Sequence, residues 1–395
     1  MNGYAPKKWW AAAKLLLILL LAGFALPAQE NRSTYRDGLR LTYGHGRILK
    51  HTRELETLEG FRTGGLGVDW MRQSQTEQGW AAGHQLPRTG FSLFYHWYEA
   101  PSLGYSLSVL AFVENDLPAH WQDFSFYYHM GLGLGYQSRV YDSLDNPLNQ
   151  ALSTHLNIAF DFRLGLRWRF LPQWDLQAGV SLFHYSNGAS RLPNYGINLW
   201  QTQAALTYRF GESLTLPKRQ PSQVLWQDEF LILVNIGQRQ LPQDLSYHWT
   251  HSLQVEYNLL HNRGNRFGLG LALMNDAYLE EYEAWANIWG DGQHEVFSRL
   301  QTLTWGPYLN YEMVFDQLSF YLQQGWYLGP RQKTYETFID YGEGPFRHSI
   351  TLPNSGVFNR VGLRYRFGPH ILLNLGLKTH LFEAQNLEIG VGAFF

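Results

Sequence analysis

The sequence predicts an all-β chain, a transmembrane antiparallel β-barrel protein of about 16 strands, preferably arranged as two tandem eight-stranded barrels. Three observations carry this. Segments that alternate apolar and polar residues recur from residue 38 to the C-terminus of the 395-residue chain, the period of strands with one greasy and one wet face. The composition is rich in aromatics (Trp 15, Tyr 24, Phe 24) and poor in charge at 16%, which suits a wall bathed in lipid and girdled by aromatic rings at the membrane interfaces. The last nine residues, LEIGVGAFF, place Leu387, Ile389, Val391, Ala393 and Phe395 on one face and end in an aromatic ring.

The N-terminus reads as a secretory signal over residues 1–28. Lys7, Lys8 and Lys14 precede or interrupt the apolar run Leu15–Leu21, and the small residues Ala22, Gly23, Ala25 and Ala28 follow. The run is shorter than the ~20 residues that span a bilayer, so export with cleavage near Ala28 is expected. Export, the dyad-patterned strands and the C-terminal phenylalanine together place the expected location in the outer membrane of a Gram-negative bacterium. A net charge of −2 offers nothing to nucleic acid. The absence of cysteine removes disulfides, thiolate ligands and thiol nucleophiles. No metal-ligand spacing and no phosphate-cradling glycine loop is present, so neither metal nor cofactor is expected.

The first set of strands is expected near 38–45, 62–71, 89–97, 103–113, 125–138, 152–169, 173–186 and 199–210. In the sixth, Leu152 through Trp168 form the outer face and His155, Asn157, Asp161, Arg163, Arg167 and Arg169 the inner one. Charges of both signs on an inner face imply a hydrogen-bonded, plugged lumen. Gly131, Gly133 and Gly135 alternate on the fifth strand, where they relieve crowding. The polar, Pro-containing stretch 213–227 reads as a linker between a first domain, 29–212, and a second, 228–395. The second set is expected near 229–239, 249–260, 265–274, 303–315, 317–328, 358–367, 369–380 and 385–395, with Arg360, Arg364 and Arg366 pointing inward. Short turns alternate there with long loops at 275–302 and 329–357, which puts the C-terminus on the periplasmic side. The pattern is broken in the first set: 72–88 is long where a turn is expected and 98–102 short where a loop is. A single sixteen-stranded barrel remains the alternative arrangement.

The seventh strand carries the chemistry. Trp174, Leu176, Ala178, Val180 and Leu182 share its apolar face with His184 and Ser186. The last two lie at the expected extracellular end, ~7 Å apart at the Cα level. An imidazole and a hydroxyl so placed are a base and a nucleophile offered to the membrane itself. An isolated H-x-S is also what a polar strand end looks like.

The surrounding sequence sharpens this. His184-Tyr185-Ser186-Asn187-Gly188, followed by Pro193-Asn194-Tyr195-Gly196-Ile197-Asn198, together with the upstream run 131–157, resembles the outer-membrane lipid A 3-O-deacylase (PagL-like) family over residues 35–212. The resemblance implies an eight-stranded barrel with a Ser-His-acid triad on its outer wall. Its substrate would be lipid A or lipopolysaccharide, and its reaction the hydrolysis of an ester-linked acyl chain. On it, Ser186 is the nucleophile, His184 the general base, and Asn187, Gly188 and Asn194 the oxyanion hole, with Asn194 also ordering the loop. Trp174, Leu176, Ala178, Val180 and Leu182 would line the acyl chain. The family's acid, a glutamate, falls where this chain has Asn198. An amide can accept the ring N–H but cannot carry charge, and an acid-to-amide change in a serine triad costs ~10⁴ in rate. Two readings therefore stay open: an esterase, and a non-catalytic barrel serving as pore, transporter or anchor.

Overall fold

The computed structural model describes residues 35–74, 81, 84, 86–211, 226–240, 246–261, 264–276, 303–328, 356–380 and 383–395. The expected signal at 1–28, almost all of the linker at 213–227, and the loops at 275–302 and 329–357 lie outside the described residues, but for their edges. The described chain forms two separately closed eight-stranded barrels.

The first barrel comprises β1 (Tyr35–Leu49), β2 (Arg62–Ser74), β3 (Arg88–Tyr98), β4 (Tyr105–Trp121), β5 (Phe124–Gln137), β6 (Leu156–Leu171), β7 (Trp174–Ser186) and β8 (Ile197–Arg209). Neighbours in sequence pair antiparallel, and β8 returns to β1 from Gly38↔Arg209 to Leu49↔Asn198. That pairing decides for two barrels: a single large sheet would have spent the β8 edge on the next strand. The two-residue turns at 122–123 and 172–173 mark one end. At the other lie the longer connections 50–61, 138–155 and 187–196. The connection 75–87, at the short-turn end, breaks the rule as the sequence indicated, but the two-residue turns fit a periplasmic end and make the opposite one extracellular.

Alternation along the strands sorts lipid from lumen. Leu39, Leu41 and Tyr43 of β1 are exposed, while Arg40 and Thr42 between them are buried. Inside, Arg40 binds Asp69 at 2.5 Å, Gln177 at 3.1 Å and Glu114. Arg163 binds Asp161 at 2.6 Å, and Arg209 binds Asp175 at 2.8 Å. Arg88 and Arg167 share Asp116. Paired in this way, the buried charges offset their desolvation, and they occupy the lumen. Towards the extracellular end the filling turns apolar, with Phe94, Leu110, Ala159, Phe183, Tyr185, Ile197 and Leu199 in one buried cluster. Gly135 belongs to this layer. A Cβ there would lie 2.6 Å from the Tyr185 ring, so the glycine makes room for the aromatic side chain.

Two expectations are corrected here. Strand β6 starts at Leu156, not 152. The residues before it form a loop because asparagine amides satisfy backbone carbonyls locally: Asn146 donates to Val140 and Ser102, and Asn149 to Arg139 and Ser102. Ala151, Leu152 and Ser153 are buried in succession without alternation, and Ala151 and Leu152 pack into the apolar cluster at the barrel mouth. His155 accordingly is not a lumen residue. It is exposed, sits over the Tyr136 ring at 5.7 Å, and makes a 2.7 Å hydrogen bond through Nδ1 with the carbonyl of Gln137.

The second barrel comprises β9 (Trp226–Gln240), β10 (Tyr247–His261), β11 (Asn265–Asp276), β12 (Leu303–Phe315), β13 (Leu318–Trp326), β14 (Val357–Phe367), β15 (Ile371–His380) and β16 (Glu383–Phe394). The C-terminal strand closes it, pairing with β15 (Leu373↔Val391) and with β9 (Val391↔Val234). Its interior repeats the logic of the first. Arg364 binds Glu256 at 2.6 Å and Glu312 at 3.3 Å, Arg366 binds Glu229 at 2.8 Å, and Arg360 binds Glu388 at 2.8 Å.

Candidate active site

The end of β7 and the start of β8 lie side by side, with His184 directly opposite Asn198 in the ladder. Facing residues of an antiparallel pair project to the same side, so the imidazole and the amide meet outside the barrel. His184 Nδ1 and Asn198 Oδ1 are 2.6 Å apart. An oxygen can only accept, so the ring proton sits on Nδ1 and Nε2 carries the free lone pair, the tautomer a general base requires.

Ser186 closes β7 and is 4% exposed. Its Oγ accepts from the backbone N–H of Gly188 at 3.1 Å and from Asn194 Nδ2 at 2.9 Å. Two donors thus converge on the one hydroxyl of β7 that shares its face with His184. The His184–Ser186 hydrogen bond is not formed in this structure. Such bonds commonly tighten only with substrate bound.

The loop 187–196 is built to hold these donors. Asn194 Oδ1 accepts from the backbone N–H of Asn187 at 3.0 Å, which aims its Nδ2 at Ser186. The Asn187 side chain is bonded within the loop. Its Nδ2 donates to the carbonyl of Arg191 at 2.8 Å and to Ser153 Oγ at 3.2 Å, and its Oδ1 accepts from Ser190 N at 3.1 Å. Its amide shapes the turn, while the Asn194 amide is the one aimed at Ser186. Gly188 at φ 66° and Ala189 at φ 58° form that turn in the left-handed region, a conformation costly for alanine. Gly196, at φ 75°, lets the loop pass the imidazole: a Cβ there would stand 2.9 Å from His184 Cε1. The 138–155 loop braces the arrangement through Gly196 N to Ala151 O at 2.9 Å and Ser153 Oγ to Arg191 O at 2.8 Å.

Below the site, Trp174, Leu176, Ala178, Val180 and Leu182 face outward and are exposed or half-exposed, while Asp175, Gln177, Ser181 and Phe183 between them are buried. Tyr185 points inward, 1% exposed, with its hydroxyl 2.8 Å from His96 Nδ1.

One neighbour has no counterpart in the sequence expectations. His51, in the connection after β1, lies 147 positions from Asn198, and Asn198 Nδ2 donates to its Nδ1 at 3.0 Å. Its Nε2 donates to the carbonyl of Tyr195 at 2.8 Å. No motif marks His51. Only the β1–β8 register, with Leu49 opposite Asn198, brings it near.

Comparison with known families adds the decisive observation. Residues 62–207 match the family model of lipid A 3-O-deacylase (PagL). The first barrel belongs to the lipid A 3-O-deacylase family. Residues 228–395 match a second model, described as the acyloxyacyl hydrolase C-terminal domain. Among solved structures, the outer-membrane enzyme PagL is similar at 19% identity, covering 42% of this chain and 97% of that one, with a TM-score of 0.32. Neisserial surface protein A is similar at 15% identity, covering 44% and 97% respectively, with a TM-score of 0.29. The comparison with curated proteins finds no match. The two matches fall on the two barrels, and the first carries lipid A deacylation as the activity of its family.

Proposed function

We propose that the first barrel is an outer-membrane esterase that removes an ester-linked acyl chain from lipid A, or from a related outer-leaflet lipid, by a Ser-His mechanism. The observation that carries this is the 2.6 Å His184–Asn198 bond beside a Ser186 hydroxyl that two donors already address. The lipid would approach laterally, its acyl chain lying along Trp174, Leu176, Ala178, Val180 and Leu182. The bilayer already solvates the chain, so the ~0.8 kcal/mol per buried CH₂ available from water is largely forfeited. Selectivity then rests with the head-group end.

In the reaction Ser186 Oγ attacks the acyl carbon while its proton passes to His184 Nε2. The Gly188 N–H and Asn194 Nδ2, both within reach of Oγ, turn to the oxygen that becomes negative on that carbon. The carbon–oxygen bond to the sugar then breaks, and its oxygen leaves with the proton from His184. Water, deprotonated by the same imidazole, releases the fatty acid and restores Ser186. Asn198 holds the ring through its carbonyl oxygen, without the charge that a carboxylate would lend to the imidazolium. The charge-filled lumen of the first barrel disfavours the alternative of a pore there.

The test is mass spectrometry of lipid A incubated with the full-length protein in detergent. Wild type should lose one acyl chain and Ser186→Ala none. Unchanged lipid with wild type, or equal release by both proteins, would refute the proposal.

A further inference from the structure

We infer that His51 is a positioning residue that fixes the orientation of the Asn198 amide, and thereby the tautomer of His184. The inference rests on the esterase reading above for its kinetic consequence, but not for its structural one.

An amide at the acid position of a serine triad has a defect that a carboxylate lacks. Its two ends differ, and only one serves. With Oδ1 towards the imidazole, Nδ1 is protonated and Nε2 is a base. With Nδ2 towards it, Nδ1 must accept, the proton moves to Nε2, and no base faces the serine. That wrong tautomer accounts for the ~10⁴ loss when an amide replaces the acid in a serine protease. Something must therefore discriminate the two ends of Asn198.

The structure holds a chain of hydrogen bonds in which each partner decides the next. The Tyr195 carbonyl, 2.8 Å from His51 Nε2, can only accept, so Nε2 bears the proton. In a neutral ring Nδ1 is then an acceptor. It receives Asn198 Nδ2 at 3.0 Å, which turns Oδ1 to His184 Nδ1 at 2.6 Å. The Leu49 carbonyl lies 3.5 Å from His51 Nδ1, too far to compete for a proton there. Reversing the Asn198 amide would place its N–H₂ against the Nδ1–H of His184 and its oxygen against the lone pair of His51, breaking two bonds at once. His51 is exposed, and its connection also carries the helical turn Arg53–Leu58, so it can be exchanged without opening the barrel core.

The experiment uses the full-length protein in detergent micelles, with ¹⁵N-labelled histidine. Two-bond nitrogen–proton spectra report tautomers independently of activity. Wild type should show His184 protonated on Nδ1 and His51 on Nε2. His51→Ala should convert His184 to a mixture of tautomers and lower the acyl-release rate about 100-fold, short of the full triad loss. His51→Asn, whose Oδ1 can stand where Nδ1 stood, should keep the wild-type tautomer and most of the rate. In an Asn198→Asp background His51→Ala should change the rate less than about threefold, because a carboxylate has no wrong end. An unchanged His184 tautomer in His51→Ala, or an equal loss in both backgrounds, would overturn the inference. A tautomer shift in a protein that releases no fatty acid would uphold the positioning and refute the esterase reading instead.

Discussion

Replacing Asn198 by Asp asks whether the amide limits this site. The exchange is isosteric, so the carboxylate can occupy the position now 2.6 Å from His184 Nδ1. In the transition state the imidazole becomes an imidazolium. A full negative charge ~4 Å from its centre contributes ~4 kcal/mol at an effective dielectric constant of 20. Two terms reduce that figure. The half-buried carboxylate loses part of its hydration. His51, whose Nδ1 now accepts from Asn198 Nδ2, would face an acceptor and must rotate or take a proton. A net gain of ~1.4–2.7 kcal/mol remains, which is ~10–100-fold in rate. Single-turnover release of fatty acid from lipid A in mixed micelles would measure it, with heat-modifiable gel mobility reporting that the barrel is folded. Asn198→Glu should act in the same direction, less strongly for want of isostery. A folded Asn198→Asp protein no faster than wild type would refute the reasoning and show that the amide itself is required.

Other outcomes follow from the same geometry. Ser186→Ala and His184→Ala should each abolish release, and the double variant should be no worse than either, because nucleophile and base act as one unit. Gly196→Ala forces a Cβ to 2.9 Å from His184 Cε1 at φ 75°. It should cut the rate at least tenfold and also cost ~1–2 kcal/mol in urea unfolding, the strain of alanine at positive φ, two losses that kinetics and stability assays read separately. Tyr185→Phe removes an inward hydroxyl that meets His96 at 2.8 Å. It should cost ~1–3 kcal/mol in urea unfolding with little effect on turnover. Arg40→Met leaves Asp69 and Glu114 buried without their shared partner and should destabilise the first barrel by ~3–5 kcal/mol, measured by tryptophan fluorescence in urea.

The strand pattern was legible because a barrel wall obeys a period of two over its whole length. Lipid outside and a polar lumen inside leave each residue a choice of two environments, so Leu39, Arg40, Leu41 and Thr42 declare their sides by type alone. The pair His184 and Ser186 was legible for the same reason, since spacing two means one face. Local chemistry then misled. The residues before β6 alternate apolar and polar types loosely enough to read as a strand, but Ala151, Leu152 and Ser153 are buried in succession at the barrel mouth, and His155 was drawn inward with the extended reading. Closure into two barrels was decided only by which edge β8 meets, a contact between residues as far apart as Gly38 and Arg209. The same closure decided the site's finer structure. Pairing β8 with both β7 and β1 brings Asn198 between His184 and the connection that carries His51. Which end of an amide faces a histidine depends on partners 14 and 147 positions away. Sequence periodicity sorts faces along a strand, but hydrogen bonds of that range exist only once the sheet has closed.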